Sequence, residues 1–456
     1  MMSTFFSKDG DHTPPSVQPR QGLLLALLFA FQCFAGTAWA ESYIYLTNNT
    51  MDTLSLETIQ SGYTNITAGK EWEQLVTTVA PLQTVKFLRF NRDEGIKWGK
   101  DYYFDTIVQG QNTDLILSQA LRGTMTFSKM WLTAQENPWY YDRDIHRIAL
   151  DFDGKPSTLA FRSQVARASG DDIYYVIHNE WKPETPSADR NTFKVLTYNT
   201  WALLPGIEAK NTHNRLDTIA EYMTGYDAVV FEEVFDPIET AIFRDKIKAH
   251  YPYLTEIPWK FGKILTGGSF IASKWPIKRQ DSAVYSACRN EGCLAAKGMN
   301  YAEINKQGKT YHLFGTHTHA YTTAEDIAVR FAQLNELKAF IDSKNIPSEE
   351  PVMIAGDFNV DKNHFHQEHE DFLTVMDATE PMAVGDYPDS YAGPVNVYAD
   401  DQYTEYLDYV LYSNTHQTPA SSWNKLLTPR SIEDKHWGSW DLSDHFPVAA
   451  EFVFTE

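Results

Sequence analysis

An α/β sandwich of two mixed β-sheets, with a smaller mainly-β domain ahead of it, is the architecture this sequence predicts. Three observations carry the expectation. The chain has 456 residues, more than one ordinary domain accommodates, so two are expected. From residue 41 to about 185, short strand-like runs recur with Gly, Asn and Asp between them, the pattern of a β-sandwich. From about residue 190, apolar runs alternate with helical-period segments in some places and with further strands in others, which calls for mixed sheets covered by helices.

The first 40 residues read as a secretory signal. Arg20 precedes an apolar stretch over 21–40 that closes on Ala38-Trp39-Ala40, a small-residue cleavage pattern. Gln32 and Gly36 interrupt the run, which argues against a membrane anchor, so a secreted chain cleaved after Ala40 is expected. Cys33 would leave with the signal. Cys288 and Cys293 then remain, and in an oxidising compartment two cysteines so close read as a small-loop disulfide. The formal net charge of −21 argues against nucleic acid as the main partner, because duplex binding relies on Lys and Arg. Aromatic residues make up 14% of the chain, which suits a lipid or sugar surface and equally suits well-filled β cores.

Residues 41–187 form the expected accessory β-rich domain. Its strands are read at Tyr43–Asn49, Thr84–Phe90, Tyr102–Val108, Leu115–Ala120, Thr124–Leu132 and Asp172–His178. Asp151-Phe152-Asp153-Gly154 reads as a hairpin turn sooner than as a cation loop, and Asn65-Ile66-Thr67 is a glycosylation sequon. Trp181 to Ser187 has the composition of a linker.

Residues 188–456 form the second expected domain. Strands are read at Phe193–Tyr198, Asp227–Phe231, Gly268–Ala272, Tyr301–Ile304, Tyr311–Thr316, Val352–Ala355, Tyr406–Leu411 and Pro447–Phe454. Helical spacing appears over Arg215–Met223, Thr240–His250 and Ala324–Ile341, the last with Ile327, Phe331, Leu334 and Leu337 on one face. Six strand ends carry polar residues of one chemical kind. They are Asn199, Glu233, His317, the pair Asp357 and Asn359, Asp408, and the pair Asp444 and His445. Asp357 and Asn359 share a side by the period of two, and the same spacing also allows a plain Asp-Asn turn. Oxygen-bearing groups presented together suit a hard divalent cation or the oxygens of a phosphate.

Those residues resemble a known family. Tyr198-Asn199-Thr200-Trp201, Glu233-Val234-Phe235-Asp236, Gly315-Thr316-His317, Gly356-Asp357-Phe358-Asn359, Leu407-Asp408-Tyr409 and Ser443-Asp444-His445-Phe446-Pro447 are similar to motifs of the endonuclease/exonuclease/phosphatase superfamily. With Gly268 to Ile277, Cys293 to Gly298, Asp389-Ser390-Tyr391 and Asn396, the chain looks like the secreted bacterial sphingomyelinases C over about residues 192–456.

The resemblance implies a four-layered α/β sandwich, DNase I-like. It implies a phosphodiesterase releasing ceramide and phosphocholine from sphingomyelin in a membrane surface, with no nucleic acid and no obligate protein partner. Glu233 and Asn199 would hold a cation, Mg²⁺ foremost, with Mn²⁺ or Co²⁺ as substitutes. His445 would be the general base, oriented by Asp408 or Asp444. His317 would bond the phosphate or protonate the leaving oxygen, and Asp357 and Asn359 would hold phosphate, water or a second ion. His319 is expected at the rim, and Lys274 and Lys297 either reach the phosphate or, as is commoner for lysines, stand in solvent. Trp437 and Trp440 fit either a membrane-contacting loop or core packing. The rival readings are a nuclease of the same superfamily and a membrane- or glycan-binding protein acting through the first domain.

Overall fold

The computed structural model describes residues 41–456 except 62–65, 67, 92–95, 124–127, 136, 168–169, 208, 386 and 400–401. The signal segment with its cleavage site, and Asn65 and Thr67 of the sequon, lie outside the described residues. Among the described residues no helix is long and apolar enough to cross a membrane.

The first block is a two-sheet sandwich. One sheet has six strands in the order Trp72–Gln74, Thr84–Asn91, Glu41–Asn49, Gly170–Asn179, Lys155–Arg167, His146–Phe152. The other has five: Thr78–Val79, Leu54–Ser61, Asp101–Gln109, Asp114–Gly123, Ser128–Ala134. Alternating apolar residues from both sheets, among them Ile44, Leu46, Leu56, Phe104, Val108, Leu117 and Phe161, meet in one core. That is the period-two burial expected of half-solvated strands. Asp153 and Gly154 turn a hairpin, and the Asp153 carboxylate accepts from the N–H groups of Gln111 and Asn112.

In the second block, a seven-stranded sheet runs Tyr253–Leu254, Phe270–Ser273, Ala228–Val234, Thr192–Ala202, Val448–Val453, Ser421–Leu426, Met382–Val384. A six-stranded sheet runs Ile277–Val284, Gly298–Lys306, Lys309–His317, Val352–Asp357, Asp408–Ser413, Ala378–Thr379. Both are mixed. Thr192–Ala202 pairs parallel with Ala228–Val234 and antiparallel with Val448–Val453. The inner faces share a core through Val195, Val230, Ile271, Leu313, Met353 and Val410. Helices Thr212–Tyr222 and Pro237–Ile247 cover the outer face of the first sheet through Leu216, Ile219, Phe243 and Ile247. Helices Ala324–Asp342 and His366–Met376 cover the second through Leu334, Leu337 and Phe372. Helix, sheet, sheet and helix make the four layers.

Central strands are buried on both faces, so they read as apolar runs and not as alternation; Thr192–Ala202 is buried at every position. Gly356 has φ +152°, and a Cβ there would sit 2.0 Å from the Thr316 carbonyl oxygen. The two strands that deliver His317 and Asp357 therefore approach as closely as glycine allows.

The segment after the first block is pinned rather than loose. Trp181 stacks on Tyr222, centroids 5.6 Å apart, and donates to its carbonyl. Lys194 Nζ donates to Glu184 Oε1 at 2.6 Å and to the Thr185 carbonyl at 2.8 Å. Trp440 is only 4% exposed and packs with Trp437 and Ile432 against Ala160 and Val176 of the first sandwich. The membrane-loop reading of Trp437 and Trp440 is thus corrected. The pair is apolar surface that the first block covers, and core packing won. Arg430 crosses the same seam, donating to Asn49 Oδ1, the Leu82 carbonyl and buried Asp441.

Candidate active site

The strand ends converge at one edge of the inner sheets. A cleft of about 760 Å³ there is lined by Trp201, Glu233, His317, Asp357, Asn359, Asp444 and His445, among others.

Asn199 lies buried near the end of its strand, where the pairing register with Ala228–Val234 shifts. Its Nδ2 donates to Asp357 Oδ2 at 2.9 Å, which ties one sheet to the other. Its Oδ1 accepts from the Trp201 N–H at 3.1 Å. On the neighbouring strand two glutamates diverge. Glu232 points into the protein, where Thr197 Oγ1 donates to it at 2.7 Å and burial pushes its carboxyl well up. Glu233 sits at φ +56° and faces the cleft. A left-handed residue at the strand tip breaks the period of two, and this turns Glu233 outward. Burial raises the Glu233 carboxyl, opposed by Lys297.

The 352–357 strand delivers Asp357. One oxygen accepts from Asn199, and the other accepts from the Asn359 N–H at 2.9 Å. The Asp-Asn turn and the site are therefore the same object: Asn359 stands at φ +51° because Asp357 caps it, and both line the cleft. Burial works against the Asp357 charge, but His317, His445 and Asn199 hold its carboxyl below the usual range.

His317 Nε2 lies 2.8 Å from Lys297 Nζ, 3.5 Å from Asp357 Oδ2 and 3.8 Å from Glu233 Oε1. An ammonium can only donate, so Nε2 accepts and the ring proton sits on Nδ1. Burial, with Lys297 beside it, pushes the imidazole down to about 3. Lys297 also donates to the Thr318 carbonyl at 2.9 Å. It is a site residue, and not the solvated lysine the sequence suggested. His319 is likewise buried and not at the rim: its Nε2 meets Asp326 Oδ1 at 3.0 Å. The strand has ended by then, so the period of two no longer places it. Lys274 lies over the Trp275 ring, away from the cleft.

His445 Nδ1 pairs with Asp408 Oδ2 at 2.8 Å, with both side chains nearly buried. This contact separates the two orienting candidates. Asp444 instead accepts from Ser443 Oγ at 3.1 Å, and burial raises its carboxyl to about 7. Asp408 is raised by burial to about 6 against the pull of His445. Burial opposes the His445 imidazolium, yet Asp408, Asp444 and Asp357 together hold its proton well above the ordinary range. Ser390 Oγ accepts from the Leu407 and Asp408 N–H groups, and the Tyr391 ring lies 5.4 Å from that of His445. Asn396 Nδ2 donates to the Ser443 and Asp444 carbonyls.

Sequence reasoning missed Arg215. Fully buried, it donates to the carbonyls of Thr200, Trp201, Lys210 and Leu442, fastening the Asn199 strand end to the His445 loop. Its only signal was a charge on the apolar face of a helix. Cys288 and Cys293 form a disulfide near the other wall.

A buried carboxylate-rich cluster with few compensating cations suits a bound hard cation, and the oxygen donors Glu233 and Asp357 fit one, while Asn199 turns Nδ2 toward Asp357. A second grouping brings single donor atoms of Asp357, Asp408 and His445 within 4.8 Å of one another.

Comparison with known proteins agrees with this geometry. The model of the Endonuclease/Exonuclease/phosphatase family matches residues 196–445. A sphingomyelinase C of Bacillus cereus is 31% identical over 305 residues, covering 59% of this chain and 90% of that one. A sphingomyelinase C of Leptospira interrogans is 32% identical over 295 residues, 58% of this chain. The chain spans about half the length of the Leptospira relatives it matches, 52% and 48%. Among solved structures, sphingomyelinase C from Streptomyces griseocarneus superposes with TM-score 0.51 at 30% identity, over 57% of this chain and 99% of that one. A magnesium-bound beta toxin mutant from Staphylococcus aureus gives 0.53 at 26% identity, over 58% and 99%.

Proposed function

The chain belongs to the Endonuclease/Exonuclease/phosphatase family, and from that premise we propose that it is a divalent-metal-dependent sphingomyelin phosphodiesterase, secreted after cleavage near Ala40. The observation that carries the reading is the convergence of Glu233, His317, Asp357 and His445 on one cleft, with His445 held by Asp408 at 2.8 Å.

Each residue then has a task. His445 in its neutral form takes the proton of the attacking water, and Asp408, foremost of the carboxylates that hold that proton, fixes its ring and balances the imidazolium that forms. Such a base contributes about 10²–10⁴ in rate. His317 lines the opposite wall, where it bonds the phosphate or protonates the leaving oxygen, and Lys297, 2.8 Å from its Nε2, supplies positive charge behind it. Asn359 and Asp357 position the phosphate or the water. Asp444 lines the cleft beside them without orienting His445. Glu233 and Asn199 would hold the cation, with Mg²⁺ the first choice and Mn²⁺ or Co²⁺ as substitutes. Asn199 would turn its carboxamide over to present Oδ1. When bound, the ion neutralises phosphoryl oxygen charge.

The substrate class follows from the relatives named sphingomyelinase C, and the acidic chain disfavours a polyanionic nucleic acid. Purified protein with Mg²⁺ is expected to release phosphocholine from sphingomyelin vesicles, with EDTA stopping it. His445→Ala is expected to remove turnover while its circular dichroism stays that of the parent. Undiminished turnover in that variant would sink the assignment.

A further inference from the structure

With Trp437 and Trp440 packed against the first sandwich, the large exposed apolar side chains lie elsewhere. The loop between strands Tyr253–Leu254 and Phe270–Ser273 carries Trp259, 63% exposed, Phe261, 89% exposed, and Ile264, 74% exposed. Leu294, 47% exposed, joins them, because the Ile264 and Leu265 N–H groups both donate to its carbonyl. Folding normally hides such side chains, and a cluster of them marks a contact surface.

Their base is rigid. The Gly267 N–H donates to the Pro258 carbonyl at 2.7 Å, closing the neck of the loop. Lys263 Nζ donates to the Cys293 carbonyl at 2.8 Å, and the Cys288–Cys293 disulfide closes the adjoining turn. The tip therefore presents its aromatics outward without first having to order a long mobile loop.

The patch borders the cleft. Tyr321 lines the cleft mouth and is hydrogen-bonded to Glu291. The Leu294 N–H donates to the Glu291 carbonyl, so the rim continues from Tyr321 through Leu294 to Ile264. Three residues beyond Leu294 the same segment delivers Lys297 to His317. Charge is local too. On a chain of net −21, Ile257 to Ile264 holds Lys260 and Lys263 and no carboxylate, with Glu256 and Glu291 at its edges. Aromatic and aliphatic tips with interleaved lysines match the apolar–phosphate boundary of a lipid bilayer.

We propose that Trp259, Phe261, Ile264 and Leu294 form the surface through which this protein docks on a phosphocholine-lipid bilayer, turning the cleft mouth toward the leaflet. The inference rests on the sphingomyelin reading above only for the identity of the lipid.

The test is sedimentation of the full chain with protein-free sphingomyelin–phosphatidylcholine vesicles and Mg²⁺, in a His445→Ala background so that the lipid stays intact. Each lost aromatic anchor is expected to weaken vesicle binding about tenfold, so Trp259→Ser/Phe261→Ser loses about 100-fold and Leu294→Ser, on a separate segment, about tenfold. In the active background the same substitutions are expected to leave turnover of soluble p-nitrophenylphosphorylcholine unchanged. Parental vesicle binding by the variants overturns the proposal. So does no binding by the parent, which would point to a protein receptor, and so does an equal loss in both assays, which would place these residues in catalysis. Failure of the active parent on both soluble and vesicle substrates overturns the phosphodiesterase reading instead, and leaves the sedimentation result standing by itself.

Discussion

Arg430→Met removes the guanidinium that fastens the first sandwich to the second block. Arg430 is 2% exposed and Asp441 is fully buried. Nε donates to Asp441 Oδ1 at 2.7 Å, Nη1 to Asn49 Oδ1 at 2.8 Å and to the Leu82 carbonyl at 2.7 Å, and Nη2 to the Val395 carbonyl at 2.5 Å. The substitution leaves Asp441 with the Val397 N–H as its remaining donor. Breaking a buried ion pair from one side costs about 3–5 kcal/mol, because the surviving charge is uncompensated. Arg430→Met/Asp441→Leu removes that charge. It should recover about half of the loss, the rest being the acceptors on Asn49, Leu82 and Val395 left unpaired at about 1 kcal/mol each.

The pH dependence has a definite sign. Burial already raises the Asp441 carboxyl against the pull of Arg430, and without Arg430 it rises further. An acid whose folded pKa lies above its unfolded value gains folded stability as pH falls through the folded value. The deficit of Arg430→Met is therefore expected to narrow on acidification. Urea unfolding of the full chain, followed by tryptophan fluorescence between pH 8 and pH 5, measures both quantities. A loss under about 1 kcal/mol, or a deficit independent of pH, would refute the reasoning.

Three further outcomes are expected. Asp408→Asn should lower kcat on a soluble phosphodiester by about 10²–10⁴ while the urea midpoint stays near the parent's, since the substitution keeps the shape and removes the charge that holds His445; a kcat within threefold of the parent, roughly, contradicts the role. Glu233→Gln should weaken Mg²⁺ binding about tenfold or more, read by calorimetry without substrate, and unchanged affinity would move the cation to the Asp357 grouping. His178, buried beside Arg430, has its imidazole lowered to about 4, first by burial and then by that charge. It folds neutral, so its contribution is intact above pH 6.5 and is lost as pH falls toward 4, to a limit of about 3 kcal/mol. A His178→Gln variant whose stability falls as steeply as the parent's over that window would disprove this.

The second block was the more legible half of the chain. Asn199, Glu233, His317, Asp357, Asn359 and Asp408 stand at or near the borders of apolar runs, and a polar residue at such a boundary announces itself without any knowledge of its neighbours. The helix Ala324–Asp342 was legible for a similar reason: its apolar residues repeat at helical spacing, and Thr323 caps its start by accepting from the Asp326 N–H. Helix His366–Met376 and strand Ile277–Val284 went unread. The first is rich in His and Glu, and the second is exposed or half-buried along its length, so neither shows a periodic apolar signal.

By itself the sequence determined which residue types end each strand, and through them the oxygen and imidazole chemistry available to the site. Tertiary structure decided which of those groups meet. It paired His445 with Asp408 and not with adjacent Asp444, drew Lys297 out of solvent onto His317, and spent Trp440 on the first sandwich. The physical reason is that side-chain period is a local property of a strand. Contact across two sheets depends on register, on a left-handed residue such as Glu233, and on which apolar face another block happens to cover.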